Sequence, residues 1–257
     1  MTGTGPGRRS EALSREAGRL HGNRLWRVET PSGPVLQKYY CEKAGAIQVA
    51  WRAAWTRWLR GATSPRAAAR WRTEREILAL WGAAGIAVPR DRTEEFPELA
   101  GERVSILEWI EGKDLARLLA SGRLPRPERD ALLRRFGAEW GKRHRIALER
   151  GDPRFAQVHG SLVHFLVSGE RLVCIDHEQA CLPGRPVLPA LAREAASCLK
   201  SLRRAGDEAA LRADLAALAA GHPDRALLRE IAGAIARLSF ADQGKRDLAA
   251  ALGAAAS

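Results

Sequence analysis

The alternation of apolar and polar residues predicts a β-hairpin near the start of the chain. Residues 24–30 alternate as a half-buried strand does, and residues 35–40 return after a turn at 31–34 that holds two prolines and a glycine. The two segments therefore predict antiparallel strands of about six residues each. A further short strand is predicted at 106–110, where an apolar run ends close to Gly112.

Helical periodicity dominates most of the chain beyond this hairpin. Residues 47–59 place three tryptophans on one helix face, because these side chains are spaced four and three positions apart. The next helix is expected to begin at Ser64, a capping residue followed by a proline, and to run to about Ala84, where a glycine stops it. Further helices are predicted at 114–120, at 128–148 and over most of the chain after Pro189.

A second hairpin ends in an acidic residue. Two apolar strands, 165–167 and 172–175, flank a Ser-Gly-Glu turn, and Asp176 follows the second strand directly. A carboxylate at the end of a buried strand costs free energy unless it binds a cation or hydrogen-bond donors. Asp176 is therefore the leading candidate for a metal or nucleotide contact.

The order of these elements predicts an α+β chain in two parts. Residues 1–18 are polar and glycine-rich, and we expect them to be flexible. Residues 19–111 are expected to form a small part built on an antiparallel sheet. Residues 112–257 are expected to form a larger, mostly helical part, so the boundary lies near Glu111.

The composition is that of a globular protein. The chain has 257 residues, 46% of them hydrophobic, which suffices for a sizeable core. Its four cysteines form no CxxC pair, so we expect neither a disulfide framework nor a zinc site. Because the sequence shows neither a signal peptide nor an apolar run long enough to cross a bilayer, it predicts a cytoplasmic protein.

The net charge of +12 is unevenly distributed along the chain. Between Lys43 and Thr73 there are seven basic residues and no acidic one. Such a segment favours an anionic partner, namely nucleic acid, phospholipid or a phosphorylated sugar. A solvated basic face explains the same pattern equally well.

A lysine and one of two glutamates match two of the needs of phosphoryl transfer. That reaction requires a lysine on the phosphates, a carboxylate that orients the lysine, metal ligands and a group that orients the nucleophile. Lys38, in the second predicted strand, suits the first role. Either Glu74 or Glu76, in the following helix, suits the second.

The segments around Glu108 and Gly22 are candidates for contacts with a nucleotide. Glu108 and Ile110 lie at the end of an apolar strand, as a kinase hinge does, where backbone N–H and C=O groups can take an adenine edge. Gly22 precedes the first strand and permits close approach of the backbone to phosphate, although no GxGxxG pattern surrounds it.

Residues 158–178 resemble the catalytic hairpin of protein-kinase-like phosphotransferases. In that superfamily a His-x-Asp loop supplies the base, an Asn after it helps to hold magnesium, and a following strand ends in the Asp of an Asp-Phe-Gly motif. Here His159 begins the loop, Ser161 occupies the base position, and His164 occupies the position of the metal-binding Asn. The resemblance implies that Asp176 contacts the metal.

With these pieces in order, residues 24–203 resemble the bacterial lipopolysaccharide kinases, a group of heptose and Kdo kinases with a protein-kinase-like fold. The most specific matches are the Val-Leu-Gln-Lys-Tyr-Tyr of 35–40, a tryptophan- and arginine-rich insert, the segment 63–90, His144, the Val-His-Gly of 158–160 and the Ile-Asp-His-Glu of 175–178. The resemblance implies a bilobal α+β fold, ATP and magnesium as cofactors, and a lipid-linked core sugar as the phosphate acceptor. It also implies a location at the inner face of the inner membrane, with arginines of the insert on phosphates and its tryptophans at the lipid interface.

The loop departs from the family pattern at the position of the base. Ser161 is no proton acceptor near neutral pH, and the imidazole of His164 is a poor magnesium ligand because hard cations prefer oxygen. His159 and Asp152 are the remaining candidates for the base.

The sequence supports three hypotheses about function. The first is an active kinase with an unusual loop. The second is a pseudokinase that binds nucleotide or an anionic lipid-sugar without turnover, and the third is a basic nucleic-acid-binding protein. Because no nucleic-acid-binding motif is present, we expect no nucleic acid partner. We expect a monomer whose partners are ATP and an anionic lipid-linked sugar or membrane surface.

Overall fold

A computed structural model describes residues 9–12, 23–42, 61–238 and 242–257. The chain divides into two compact units, and the first comprises Met1–Glu111 together with Asp176–Gln179. The second comprises Gly112–Ile175 and Ala180–Ser257. The tryptophan-bearing helix predicted at 47–59 and the candidate Gly22 lie outside the described residues.

An antiparallel sheet forms the frame of the first unit. Its strands are β1 (Arg9–Ala12), β2 (Arg24–Thr30), β3 (Gly33–Tyr39) and β4 (Val104–Glu108), hydrogen-bonded in that order. The predicted hairpin is confirmed by the pairing of Thr30 with Gly33, whose φ of +100° suits a residue without a Cβ. Strand β1 was not predicted, and it lies in the segment that we expected to be flexible.

Alternation along β3 decides which of its side chains face the core of the sheet. Val35 pairs with Val28 across the hairpin, and both are fully buried beside Ile106. Lys38 lies three positions beyond Val35 and therefore points to the opposite face of the sheet. The register places Lys38 opposite Ser105 of β4.

The helix predicted to begin at Ser64, α1 (Ala67–Ala83), begins later than expected. The hydroxyl of Ser64 accepts only a long hydrogen bond of 3.4 Å, from the backbone N–H of Arg66, and does not cap the helix. The carboxylate of Glu42 instead accepts the N–H of Ala67 at 3.1 Å, where a negative charge also suits the helix dipole. Glu42 thus satisfies the first backbone N–H of the helix, the role that the sequence predicted for Ser64.

The second unit is mostly helical. A small sheet joins β5 (Lys113–Asp114), β6 (Phe165–Ser168) and β7 (Arg171–Cys174), of which the last two form the second predicted hairpin. Its helices are α2 (Leu115–Ala120), α3 (Arg126–Glu149), α4 (Val187–Arg203), α5 (Glu208–Gly221), α6 (Arg225–Ala236) and α7 (Gln243–Ala255).

The two units together confirm the α+β class expected from the sequence. Antiparallel strands, a helix and a further strand are followed by a helical unit that contains a short hairpin. Within the described residues, none of the helices combines the length and the apolar character needed to cross a bilayer.

Glycines allow α3 and α5 to pack backbone against backbone. A Cβ on Gly137 of α3 would lie 2.2 Å from the carbonyl oxygen of Leu218, and a Cβ on Gly221 would lie 2.0 Å from the carbonyl oxygen of Arg134. Both distances are far shorter than a van der Waals contact. The two helices can keep this separation only if neither position carries a side chain.

The substitution Gly137→Ala should therefore destabilise the protein. We expect its free energy of unfolding to fall by about 1–3 kcal/mol, because the helices must separate to admit the methyl group. Gly253→Ala in α7 is the matched control, since the nearest atom to its Cβ would be 3.8 Å away. Because alanine has a higher helix propensity than glycine, this substitution should raise the free energy of unfolding by about 0.5–1 kcal/mol. Urea unfolding measures the free energy of unfolding of both variants. If both substitutions changed it in the same direction, the close contact of α3 and α5 at Gly137 would be contradicted.

Candidate functional site

Lys38 lies at the centre of a buried charge cluster in the first unit. Its side chain is only 8% exposed, and its Nζ is 2.9 Å from Glu74 Oε2, 2.9 Å from Glu178 Oε1 and 3.4 Å from Asp176 Oδ1. An ammonium has three N–H donors, so these carboxylates can engage all of them. Burial alone would lower the pKa of Lys38, but the carboxylates around it raise that pKa well above its usual value.

The partner of Lys38 on α1 is Glu74. This carboxylate is buried and also accepts hydrogen bonds from the hydroxyl of Tyr40 and from the backbone N–H of His177, the latter at 3.2 Å. Glu76, the alternative left open by the sequence, is exposed. Burial raises the pKa of Glu74 in spite of the neighbouring ammonium.

Arg70 and Asn23 complete the cluster, and neither was identified as a site residue from the sequence. Arg70 is 1% exposed, and its Nη1 donates to Glu178 Oε2 at 2.5 Å and to Asn23 Oδ1 at 2.7 Å. Asn23 in turn donates from its amide nitrogen to Glu178 Oε1. The sequence did contain a signal, because Arg70 precedes Glu74 by four positions and so lies on the same face of the helix.

Asp176 has an unusual backbone conformation. Its φ is +64°, in the left-handed region that few residues other than glycine adopt, although aspartate tolerates it better than most. The next residue, His177, is buried with its ring edge-on to Trp81 at a centroid distance of 4.5 Å. The side chain of Asp176 stays 42% exposed, so this carboxylate is the one member of the cluster that solvent reaches freely.

Two basic and three acidic side chains of the first unit lie together. We call Asn23, Lys38, Arg70, Glu74, Asp176 and Glu178 the Lys38 cluster. Its two cations face three carboxylates, and all but Asp176 among the charged members are buried. The accessible carboxylate of Asp176 has the oxygen ligands that a divalent cation prefers.

The candidate hinge is partly engaged by the chain itself. The backbone N–H of Glu108 donates to the carbonyl oxygen of Arg90 at 2.8 Å, and its side chain accepts the N–H of Arg90 at 3.2 Å. The N–H of Glu108 therefore already has a backbone partner. Ile110 lies two residues beyond the end of β4 and is half-buried.

The candidate catalytic loop lies in the second unit. His159 is exposed, and the hydroxyl of Ser161 lies 3.4 Å from the hydroxyl of Ser201. The backbone N–H of His164 donates to the carbonyl oxygen of Ser161 at 2.9 Å, and its own carbonyl oxygen accepts the N–H of Ile175 at 2.8 Å. These bonds hold the loop against the end of β7.

The alternative base Asp152 is bound to its own loop. Its two carboxylate oxygens accept hydrogen bonds of 2.7–3.0 Å from the guanidinium of Arg154. Burial would raise the pKa of Asp152, but the hydrogen bonds from Arg154 outweigh it and lower that pKa. A carboxylate stabilised in this way is a weak proton acceptor.

The backbone of the candidate catalytic loop packs against a buried ion pair between Glu194 and Arg143. A Cβ on Gly160 would lie 2.5 Å from Glu194 Cγ, so the loop backbone rests directly on α4. Glu194 is fully buried and pairs with the guanidinium of Arg143, and its Oε2 is 3.9 Å from Nε2 of His144. Burial, followed by the charges of Arg143 and His222, holds the pKa of His144 well below its usual value.

Among the described residues, no group of three or more histidine, cysteine, aspartate or glutamate side chains is arranged to hold a metal ion alone. Magnesium in phosphate-transfer sites does not need such a group, because it takes one or two carboxylates and completes its shell with phosphate oxygens and water. Asp176 and Glu178 offer oxygen ligands of that kind.

The chain resembles kinase domains among solved structures. It is similar to the PknI kinase domain of Mycobacterium tuberculosis, with a TM-score of 0.39 and 18% identity to a mutant form of that domain over 96% of this chain and 94% of that one. For a second structure of the PknI kinase domain the TM-score is 0.35 and the identity 16%, over 95% and 94%. No family model and no curated protein matches the chain.

Removing the central ammonium should cost stability in a pH-dependent way. In Lys38→Met the three carboxylates lose the buried ammonium between them, and we expect the free energy of unfolding to fall by about 3 kcal/mol at pH 7.5. Uncompensated carboxylates have a folded-state pKa above the unfolded value, so protonation relieves the loss as the pH falls. Urea unfolding should therefore show a smaller deficit at pH 5.

Lys113→Met is the control for this experiment, because that lysine is exposed. Its effect should be within about 0.5 kcal/mol at either pH. An equal deficit of Lys38→Met at both pH values would contradict the role of the ammonium in keeping these carboxylates ionised.

Acid should destabilise the second unit through His144. A histidine whose pKa is lowered on folding contributes stability above its unfolded pKa of about 6.5, and that contribution is lost as the pH falls below this value. We expect the free energy of unfolding to fall by about 1 kcal/mol between pH 7 and pH 5.5 from this residue. His144→Gln should reduce the slope, whereas the exposed-residue variant His159→Gln should keep it. Unchanged slopes in both variants would contradict the assignment.

Proposed function

We propose that this chain is a kinase-like protein that binds magnesium–ATP at the Lys38 cluster. The observation that carries the proposal is the buried ion pair between Lys38 on β3 and Glu74 on α1, with the carboxylate of Asp176 3.4 Å from the same ammonium. A lysine, the acid that orients it and a carboxylate for the metal are the parts that nucleotide phosphates require. The element order around them is that of a kinase-like chain.

The residues of the cluster fit the cofactor. Asp176 is accessible to solvent, and its carboxylate oxygens are ligands of the kind that Mg²⁺ prefers. Magnesium–ATP, when bound, supplies the phosphoryl group and the positive charge that screens it. In this proposal Lys38 binds phosphate oxygens, Glu74 orients Lys38, and Asp176 holds the metal.

We propose an anionic, lipid-linked sugar as the acceptor of the phosphoryl group. The resemblance of residues 24–203 to lipopolysaccharide kinases supports this choice, and so does the net charge of +12, which favours anionic partners. The same charge suits a position at the inner face of a membrane.

A pseudokinase is the second candidate, and the composition of the loop favours it. Ser161 occupies the position of the base, and Asp152 is bound to Arg154. Loss of a positioned general base typically costs about 10²–10⁴ in rate. Such a protein binds nucleotide normally and turns it over very slowly.

Thermal unfolding tests nucleotide binding directly. ATP with magnesium at 100 times its Kd should stabilise the protein by about 2.7 kcal/mol, and this gain should require the metal. Asp176→Asn should abolish the magnesium-dependent part, because asparagine keeps the left-handed backbone but loses the charge. Asp247→Asn, an exposed residue of α7, should leave the gain unchanged.

A wild-type protein with no magnesium-dependent gain from ATP would overturn the proposal. If the gain is present, transfer of phosphate to lipid-linked sugars, measured with the same preparation, separates the two candidates. Transfer indicates the kinase, and nucleotide binding without transfer indicates the pseudokinase.

A further inference from the structure

Tyr40 follows β3 directly and lies two positions beyond Lys38. Because side chains alternate along an extended chain, the side chains of these two residues point to the same face of the sheet. The backbone N–H of Tyr40 donates to the carbonyl oxygen of Arg103 at 3.0 Å, which continues the pairing of β3 with β4 by one residue. Tyr40 is therefore fixed at its backbone, and its side chain is fully buried.

The hydroxyl of Tyr40 donates a hydrogen bond to Glu74 on α1. Its acceptor is Oε2, the oxygen that also lies 2.9 Å from the Nζ of Lys38. Burial, followed by the charge of Glu74, raises the pKa of Tyr40 well above its usual value. The hydroxyl therefore keeps its proton at neutral pH and is a donor to this carboxylate.

Both oxygens of Glu74 have donors besides Lys38. Oε2 accepts the hydroxyl of Tyr40, and Oε1 accepts the backbone N–H of His177 at 3.2 Å. A hydrogen bond constrains direction as well as distance, so these two bonds restrict the rotation of a side chain that an ion pair alone would leave freer. The carboxylate of Glu74 therefore stays in place when the ammonium of Lys38 turns to a phosphate.

In protein kinases, the position of the helix that carries the corresponding acid controls whether the lysine–glutamate pair forms. Here the acid is held by a hydroxyl from the same segment of chain as the lysine. We propose that Tyr40 is a positioning residue whose hydroxyl keeps Glu74 beside Lys38 before any ligand binds. The inference rests on the proposed function for the identity of the ligand, whereas the contact of Tyr40 with Glu74 needs none. A site assembled in advance binds with its full intrinsic affinity, because no fraction of the molecules has to rearrange.

The substitution Tyr40→Phe removes the hydroxyl and keeps the buried ring. It should weaken the binding of magnesium–ATP at least about tenfold, since a hydrogen bond to a charged group contributes a factor of this size. Isothermal titration calorimetry measures the affinity. Tyr39→Phe is the matched control, because it removes the same hydroxyl from the neighbouring residue, whose ring lies 5.9 Å from the guanidinium of Arg103. This control should bind as the wild type does.

The loss caused by Tyr40→Phe should depend on the charge of Glu74. In Glu74→Gln the amide no longer forms an ion pair with Lys38, so its orientation matters little to the ligand. Removing the hydroxyl in that background should change the affinity for magnesium–ATP less than about twofold. An equal loss in both backgrounds would show that Tyr40 only supports the fold, and it would overturn the inference.

A spectroscopic measurement tests the contact without any nucleotide. The chain has two tyrosines, so Tyr40 is the remaining one in Tyr39→Phe, and tyrosine labelled with carbon-13 at Cζ then gives a single NMR resonance. This resonance should shift on the further substitution Glu74→Gln, because a hydrogen bond to a charged acceptor is stronger than one to a neutral amide. A resonance that stays in place would mean that the hydroxyl does not hold Glu74 in the ligand-free protein, which would also overturn the inference.

The two proposals fail in different ways. If the resonance of Tyr40 shifts with Glu74→Gln while the wild type gives no magnesium-dependent gain with ATP, the proposed function fails and the hold of Tyr40 on Glu74 stands. If the wild type binds magnesium–ATP and Tyr40→Phe binds it equally well, the role of Tyr40 fails alone.

Discussion

The first unit depends on the burial of one ammonium group. Removing a lysine charge from water costs several kcal/mol unless carboxylates lie beside it. Lys38 on β3 can be buried only because α1 brings Glu74 and the Asp176–Gln179 segment brings two more acids. The packing of α1 and of the 176–179 segment against the sheet is thus a condition for this strand to be stable.

The two units stabilise their buried charges in different ways. In the second unit the guanidinium of Arg143 matches Glu194, both are fully buried, and His144 beside them is held neutral. That group is balanced and closed, as a structural element should be. The Lys38 cluster instead reaches solvent through Asp176, which is typical of a ligand-binding site.

The sequence predicted the structural features that depend on the local pattern of apolar and polar residues. Alternation predicted the first hairpin, which contains Lys38, and two apolar runs around a turn predicted the second, which leads to Asp176. The choice between Glu74 and Glu76 depended on which helix face meets the sheet, which is a tertiary property. Arg70 was counted only as one of the seven basic residues between Lys43 and Thr73, since its burial depends on contacts with residues far away in the chain. The unpredicted β1 shows the same limit, because an edge strand gains its backbone hydrogen bonds from a neighbour rather than from its own composition.

The raised pKa of Lys38 has a consequence for its chemical reactivity. Acylating reagents attack lysine through the neutral amine, which even an ordinary lysine presents in only about one molecule in 10³ at neutral pH. The surrounding carboxylates reduce that fraction much further. Lys38 should therefore be acylated far more slowly than an exposed lysine such as Lys113.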